Sequence, residues 1–189
     1  MKKFLLFVTL FFTYSALHSE EKKAYFAGGC FWCMEESFDQ VKGVISTISG
    51  YSGGHLKNPK YADVVYTDSG HVEAVEITYD PNIINYKKLL NVYWENIDPF
   101  DAKGQFCDKG KSYRSVIFFE DQEQKKIIDN SFKQLQKKFD KKIVTLVWKF
   151  ENFYKAESYH QDYYEKNFIS YLMYKKGCQR EETLKKIWN

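Results

Sequence analysis

The stretch AGGCFWCMEESF, residues 27–38, joins an apolar run to a helical pattern through a pair of glycines. Before it, Lys23–Ala27 predicts a short β-strand, which the glycines end. After it, apolar side chains recur at intervals of three and four residues, and this spacing predicts a helix over residues 30–41. The arrangement places Cys30 in the first turn of that helix.

The rest of the pattern predicts four more strands and two more helices, in the order β-α-β-β-α-β-α-β along the whole chain. The strands are predicted at 44–51, 72–79, 113–119 and 143–150, and the helices at 86–96 and 121–139, with Asp121 as the N-cap of the second. No helix separates the second strand from the third, so we expect them to be antiparallel neighbours. These elements predict an α+β fold, a two-layer sandwich in which helices pack on a ferredoxin-like mixed sheet. The Tyr-rich sequence after Phe150 predicts a long irregular C-terminal segment that wraps around the domain.

Length and charge restrict the class of protein. A chain of 189 residues with 44% apolar side chains suits one domain with its own core, which we place at residues 20–189. A net charge of +3 is too small for a nucleic-acid-binding stripe, and the lysine runs at 137–142 and 185–186 are typical of solvated helix faces. We therefore expect a single domain that does not bind nucleic acid.

The first 19 residues have the pattern of a secretory signal peptide. Two lysines precede an apolar run from Phe4 to Phe12, and small residues follow it. We expect cleavage after Ser19, with Ala16 as the other candidate, and export to the periplasm or the outside. The apolar run is shorter than the ~18 residues that a spanning helix needs, so a retained membrane anchor is the alternative.

Four cysteines stand at positions 30, 33, 107 and 178, and they allow three pairings into two disulfides. In an exported protein, cysteines are often structural. The composition leaves a disulfide staple and a redox site equally open.

Cys30 has the sequence context of a reactive thiol. The first turn of a helix offers unpaired N–H groups and the positive end of the dipole, and both favour the thiolate. An unperturbed thiol with a pKa of ~8.5 is about 3% ionised at pH 7, whereas a pKa of ~7 would make it half ionised. Two large rings follow, and since adjacent helical residues face different ways, we expect one in the core and one at a pocket. We expect an open, ionisable Cys30; a buried structural cysteine is the alternative.

Gly29-Cys30-Phe31-Trp32 resembles the signature of the peptide methionine sulfoxide reductase A family. Seven further segments resemble family motifs and follow in family order, from Gly50 to Tyr164. They are Gly50-Tyr51-Ser52-Gly53-Gly54, Asn58-Pro59-x-Tyr61, Gly70–Val75, Asn96–Pro99, Gln105-Phe106-x-Asp108-x-Gly110, Tyr113-Arg114-Ser115 and Tyr159–Tyr164. The resemblance spans residues 24–178, and one such motif alone would be weak.

The resemblance implies a mechanism. Cys30 would attack the sulfur of methionine S-sulfoxide, free or in proteins, with Glu73 as the acid. Tyr61 and Tyr113 would hydrogen-bond the sulfoxide oxygen. The substrate site would include Phe31, Trp32 and Asp108.

Glu73 must keep its proton at neutral pH to act as an acid, which desolvation would favour. Strand alternation places Glu73 on the more apolar face, together with Val75, Ile77 and Tyr79. From the residues alone, a carboxylate that reaches water at a strand end is the other reading, and only the family resemblance favours the acid.

The product on Cys30 would be a sulfenic acid, which a second thiol must capture before further oxidation. The candidates for this resolving cysteine are Cys178 first, in a mobile-looking stretch beside a glycine, then Cys33, and Cys107 third. The resemblance implies recycling by thioredoxin or another dithiol, with no metal, flavin or nucleotide, and we expect a monomer.

Other functional classes remain possible from the sequence. Cys30-x-x-Cys33 is also typical of a thioredoxin-like oxidoreductase, although no proline directly precedes a predicted strand. The scattered cysteines make a zinc site a poor alternative, and we expect His71 and His160 to be structural, hydrogen-bonded residues. A secreted binding module with two disulfides would have no free thiols, which separates it from an enzyme that uses Cys30.

Overall fold

The computed structural model describes residues 20–189, so the predicted signal peptide lies outside the described residues. Its centre is a six-stranded sheet with the strand order β7-β6-β1-β3-β2-β8. The strands are β1 Lys22–Gly28, β2 Val44–Ser52, β3 Val72–Tyr79, β6 Ser115–Phe119, β7 Leu146–Lys149 and β8 Phe153–Lys155, and a separate two-stranded ribbon is formed by β4 Gly104–Gln105 and β5 Asp108–Lys109. The helices are α1 Phe31–Asp39, α2 Tyr61–Tyr66, α3 Tyr86–Glu95, α4 Gln122–Lys138, α5 Tyr163–Lys166, α6 Phe168–Gly177 and α7 Arg180–Trp188.

The predicted α+β sandwich with a ferredoxin-like sheet is confirmed. Its four central strands lie in the order β6-β1-β3-β2 and all pair antiparallel, and β7 adds a parallel edge to β6. The second and third predicted strands are the antiparallel neighbours β2 and β3. At α4, Asp121 caps the helix as expected, because its side chain accepts a hydrogen bond from Gln124 N at 2.8 Å.

One face of the sheet carries the main core. Phe26 of β1 stacks on Phe38 of α1 and on Tyr93 of α3, with ring centroids 5.5 and 4.9 Å apart. Ile77 of β3 and Ile128 of α4 belong to the same buried cluster. Because full burial of one such apolar side chain contributes about 1.5–3 kcal/mol, this cluster fixes α1 against the sheet.

Strand β3 is buried along its whole length. Its odd-numbered residues Val75, Ile77 and Tyr79 pack into the helix-covered core, and Val72 and Ala74 pack into a second cluster on the other face. Glu73 therefore lies in register with the helix-covered face, as the alternation predicted.

The structure differs from the prediction after Phe150. This segment, predicted as irregular, contains β8 at the edge of the sheet and the three helices α5, α6 and α7. The helical period is hidden there because apolar and aromatic residues stand both on the packed side and on the exposed side of α6, where Phe168, Ile169 and Met173 are exposed. The short helix α2 was also not predicted, and the strand expected from residue 113 begins at Ser115, after a 3-10 turn at Lys111–Tyr113.

Within residues 20–189, no helix combines the length and the apolar character that crossing a bilayer requires.

Candidate active site

Cys30 lies between β1 and α1, where the chain leaves the sheet through a tight glycine turn. Gly29 has φ +82°, and a Cβ atom at this position would stand 2.5 Å from the Cβ of Gln105. A side chain at residue 29 would therefore be strained by its backbone and by its neighbour. Cys30, predicted in the first turn of the helix, is the N-cap residue that directly precedes α1, and its side chain makes no capping hydrogen bond.

The first N–H group of α1, that of Phe31, binds Glu73 instead. Phe31 N donates to Glu73 Oε2 at 3.0 Å, and Glu73 is only 2% exposed. Burial raises the pKa of Glu73 well above the usual carboxyl value, and the Phe31 hydrogen bond opposes this rise. The reading of Glu73 as a carboxylate that reaches water is therefore wrong, and burial favours the protonated form of this carboxyl beside the Cys30 loop.

Two tyrosines complete this side of the site. Tyr61, the first residue of α2, and Tyr113, the last residue of the 3-10 turn, bring their hydroxyl oxygens to 3.5 Å from each other. Glu157 holds Tyr61 in place by accepting a hydrogen bond from Tyr61 N at 3.0 Å. Both hydroxyls interact electrostatically with Glu73, and burial raises the pKa of each. They therefore stay protonated and offer O–H donors close to the acid.

The two rings after Cys30 separate as expected. Phe31 is buried in the main core at 1% exposure. Trp32 is only partly buried and stacks on Tyr163 with a centroid distance of 3.7 Å. Trp32 Nε1 donates to His160 Nδ1 at 3.2 Å, so His160 has the structural hydrogen bond predicted for it, while its Nε2 is buried without a partner among the described residues.

A cover over Cys30 comes from α6. Tyr171 and Tyr174 stand three residues apart and therefore on one side of this helix. Tyr171 packs in the same buried cluster as Cys30 and Cys33, and Tyr174 packs against it. Tyr174 donates its hydroxyl hydrogen to Asp108, which ties α6 to the β4–β5 ribbon. Under this cover Cys30 is 5% exposed, so the expectation of an open sulfur is wrong for this state of the protein.

The electrostatics of the two thiols also differ from the prediction. Burial raises the pKa of Cys30 well above the usual thiol value, and the neighbouring Cys33 and Glu73 raise it further. The pKa of Cys33 falls to about 7, first because Cys30 hydrogen-bonds to it and then because the buried Arg180 guanidinium attracts the thiolate. The predicted low pKa thus belongs to the second thiol of the motif in this closed state.

The four cysteines divide into a free pair and a bonded pair. Cys30 and Cys33 are free, whereas Cys107 and Cys178 form a disulfide. The free thiols contradict the alternative of a binding module with two disulfides. Cys107, Asp108 and Cys178 also form the one described cluster with metal-ligand spacing, but the disulfide occupies both sulfurs, which leaves the zinc alternative without free thiolates there.

The structure thus brings most predicted site residues around the free thiol pair. Cys30, Glu73 and the two tyrosines meet at the start of α1, Phe31 and Trp32 flank them, and Asp108 approaches from the ribbon through Tyr174. Cys107 and Cys178 form a disulfide with each other, whereas Cys30 and Cys33 are hydrogen-bonded to each other. The catalytic role of each residue stays a prediction.

Several side chains at this site were missed from the sequence. Tyr171 and Tyr174 cover it, Glu157 positions Tyr61, and the buried Arg180 donates to Asn96 O and reaches Gly28 O at 3.4 Å. Glu35 is fully buried, and its Oε2 accepts from Asp162 N at the start of α5. The tyrosine pair at i and i+3 was a readable signal; nothing in the sequence distinguished Arg180 from the solvated charges around it.

The comparisons with known proteins agree with this geometry. The family model described as peptide methionine sulfoxide reductase matches residues 22–189. The peptide methionine sulfoxide reductase MsrA of Ligilactobacillus salivarius is 51% identical over 168 residues, covering 88% of this chain and 97% of the relative. The MsrA of Bacillus velezensis is 49% identical over 173 residues, covering 90% and 98%.

A solved structure extends the likeness to the coordinates. The crystal structure of Mxr1 from Saccharomyces cerevisiae in reduced form has a TM-score of 0.74 and 28% identity, covering 79% of this chain and 87% of that chain. The family match thus includes the Cys30 loop, Glu73, both tyrosines and the helices that cover them. On this evidence of sequence and geometry, the chain belongs to the peptide methionine sulfoxide reductase family.

Proposed function

We infer that this chain reduces methionine S-sulfoxide, free or in proteins, to methionine. The observation that carries the function is the buried Glu73 carboxyl, whose pKa burial raises, hydrogen-bonded to the backbone N–H of the residue after Cys30 and close to two tyrosine hydroxyls. A sulfoxide oxygen is a weak leaving group until it gains a proton. A buried acid and two O–H donors beside a thiol supply that proton and hold that oxygen.

The first step transfers the sulfoxide oxygen to Cys30. The sulfur of Cys30 attacks the sulfoxide sulfur and forms an S–S bond, while Glu73 protonates the oxygen and Tyr61 and Tyr113 donate hydrogen bonds to it. The hydroxyl group then passes from the substrate sulfur to the Cys30 sulfur as the S–O and S–S bonds break, and methionine leaves with the electron pair of the S–S bond. The proton lost by the Cys30 thiol returns to Glu73. The net reaction converts one thiol and one sulfoxide into a cysteine sulfenic acid and a thioether, so sulfur is oxidised on the enzyme and reduced on the substrate. Trp32 offers an aromatic surface for the methyl group and sulfur of the substrate.

Cys33 is the thiol placed to capture the sulfenic acid. It hydrogen-bonds to Cys30, and its pKa is lowered to about 7. Attack of the Cys33 thiolate on the Cys30 sulfur forms the Cys30–Cys33 disulfide and releases water. The sequence placed Cys178 first for this role; the arrangement of the thiols favours Cys33.

We expect Cys33→Ser to allow one turnover and then stop. The variant keeps Cys30 and Glu73, so about one methionine forms per enzyme, while the sulfenic acid persists for lack of a partner thiol. The measurement is methionine released per enzyme, with dimedone trapping of the sulfenic acid followed by mass spectrometry. Cys107→Ser with Cys178→Ser is the matched variant and should keep multiple turnover. If Cys33→Ser turned over repeatedly while the Cys107→Ser, Cys178→Ser double variant stopped after one turnover, the resolving cysteine would be Cys178 or Cys107.

A dithiol returns the enzyme to its reduced state. Because the electrons pass from sulfur to sulfur, the reaction uses a reductant of the thioredoxin type and needs no prosthetic group. The yeast protein Mxr1 has been solved in complex with Trx2, which supports a reductant of this class for the present chain.

The function is tested by offering both sulfoxide epimers of a blocked methionine to the purified protein with dithiothreitol. We expect consumption of the S epimer and at least roughly 100-fold slower consumption of the R epimer, because the acid and the two tyrosines fix one side for the oxygen. Chiral chromatography of the remaining sulfoxide gives both rates. Loss of neither epimer would contradict the function.

We also propose that the chain is exported through the signal peptide predicted at residues 1–19. The Cys107–Cys178 disulfide supports this, since disulfides persist in oxidising compartments.

A further inference from the structure

The active site faces an access problem in this structure. The proposed function requires a methionine sulfoxide side chain to reach the Cys30 sulfur, yet Cys30 is 5% exposed. One side of α6 covers it through Tyr171 and Tyr174, and Trp32 with Tyr163 and Tyr164 of α5 packs against the same buried cluster. Movement of α6, residues Phe168–Gly177, away from Cys30 would expose the sulfur to substrate.

Two bonds fasten the end of α6 to the same short piece of chain. Tyr174 donates to Asp108, and Cys178, directly after α6, is bonded to Cys107, the residue before Asp108. The disulfide and the hydrogen bond thus join residues 107–108 to residues 174–178 at two points. The disulfide keeps Tyr174 within reach of Asp108, and Tyr174 lies next to the buried thiol pair.

The remaining contacts of α6 are the packing of the buried Tyr171 and polar bonds of partly exposed side chains, among them the Lys175–Glu181 ion pair to α7. Tyr171 and Lys175 both bond to Glu36, whose side chain is 22% exposed, at 2.6 and 2.8 Å. The outer side of α6 faces solvent with Phe168, Ile169 and Met173. The next helix, α7, is held independently, since Arg180 is buried and Trp188 Nε1 donates to Ile97 O at 3.1 Å. Movement can therefore be confined to α6.

We propose that the Cys107–Cys178 disulfide is a second redox site, which an external dithiol reduces, and that its reduction releases α6 and opens the Cys30 site. This rests on the proposed function only in treating Cys30 as the thiol that substrate must reach. A reductant of the class that recycles the enzyme would then also reduce the Cys107–Cys178 disulfide and open the Cys30 site.

The chemistry balances with the dithiol alone. A donor thiolate attacks the sulfur of Cys107, the exposed partner, and the Cys178 thiolate leaves and takes up a proton. The second donor thiol then attacks the mixed disulfide, so that Cys107 becomes a thiol and the donor becomes a disulfide. Two electrons pass from the donor to the protein.

The test measures access to Cys30 without using activity. All proteins are full-length and carry Cys33→Ser, so that Cys30 has no neighbouring thiol to pair with. The rate of Cys30 alkylation by iodoacetamide, followed by mass spectrometry at fixed pH, is compared between the protein with the disulfide intact and the variant that also carries Cys107→Ser and Cys178→Ser. Lys176→Ser, an exposed change on α6, is the matched control.

We expect alkylation of Cys30 to be roughly tenfold faster or more without the disulfide, because α6 then opens more often. A tenfold increase corresponds to a shift of about 1.4 kcal/mol in the opening equilibrium. Treating the disulfide-bonded protein with dithiothreitol should give the same increase, and reoxidation should restore the slow rate. Equal labelling rates with and without the disulfide would overturn the proposal.

A second measurement separates opening of α6 from general unfolding. Hydrogen exchange should rise in residues 168–177 on reduction while β1 and β3 stay protected; equal loss of protection in the sheet would overturn the proposal. If the protein reduced neither sulfoxide epimer but alkylation of Cys30 still depended on the Cys107–Cys178 disulfide, the proposed function would be contradicted. The proposal that the disulfide controls opening of α6 would still be supported.

Discussion

Cys30→Ser should abolish sulfoxide reduction, with a loss of at least about 10³-fold in turnover, because an alcohol at this position can neither attack the sulfoxide sulfur nor form a sulfenic acid. The measurement is consumption of the S epimer with excess dithiothreitol. No burst of one methionine per enzyme is expected, and this distinguishes the variant from Cys33→Ser.

The loss should occur in a folded protein. Serine is slightly smaller than cysteine and keeps the N-cap position of α1, where an oxygen is a better cap than sulfur. We expect the free energy of unfolding in urea to change by no more than about 1 kcal/mol. Turnover near the wild-type rate, or a burst, would remove Cys30 from the reaction.

The sheet and the main helices were predictable because their signals are local. Alternation in residues 72–79 and helical spacing after Cys30 each describe one element packed on one core, and tertiary packing did not override them. The alternation also placed Glu73 on the helix-covered face. The burial of that carboxyl could not be predicted from the strand alone, because α1, α2 and the 3-10 turn, which come from other parts of the chain, surround it.

The closed state of the site was not predictable for the same reason. Exposure of Cys30 is set by α6, about 140 residues further along the chain, and the helical period of α6 is hidden by apolar residues on its outer side. The N–H groups of α1 were expected to favour the Cys30 thiolate. The first of them, Phe31 N, binds Glu73 instead, because β3 places a carboxyl against that helix end. The position of a side chain on a distant strand cannot be predicted from the pattern of one helix.

Glu73→Gln should slow sulfenic acid formation by about 10²–10⁴-fold, the range expected for loss of a positioned general acid. Glutamine keeps the shape of the side chain and an oxygen that accepts the hydrogen bond from Phe31 N, so the loop should hold its position. The measurement is a single-turnover rate with pre-reduced enzyme and the S epimer. Glu76→Gln is the matched control, because Glu76 lies on the same strand, directed to the other face and paired with Lys23, and its rate should stay at the wild-type value.

The pH dependence gives the same prediction a second readout. Because burial raises the pKa of Glu73, the wild-type rate should fall only when the pH rises past that raised pKa and the acid loses its proton. The rate of Glu73→Gln should not show this decline. The stability of the wild type should also decrease as pH rises. Above the ordinary carboxyl pKa of 4.5 the unfolded chain releases this proton while the native state keeps it, so the free energy of unfolding of the wild type falls as pH rises. Glutamine removes that cost, so urea unfolding at pH 8 should show a variant at least as stable as the wild type. A variant that is slow because it is unstable, or a rate equal to that of Glu76→Gln, would exclude Glu73 as the acid.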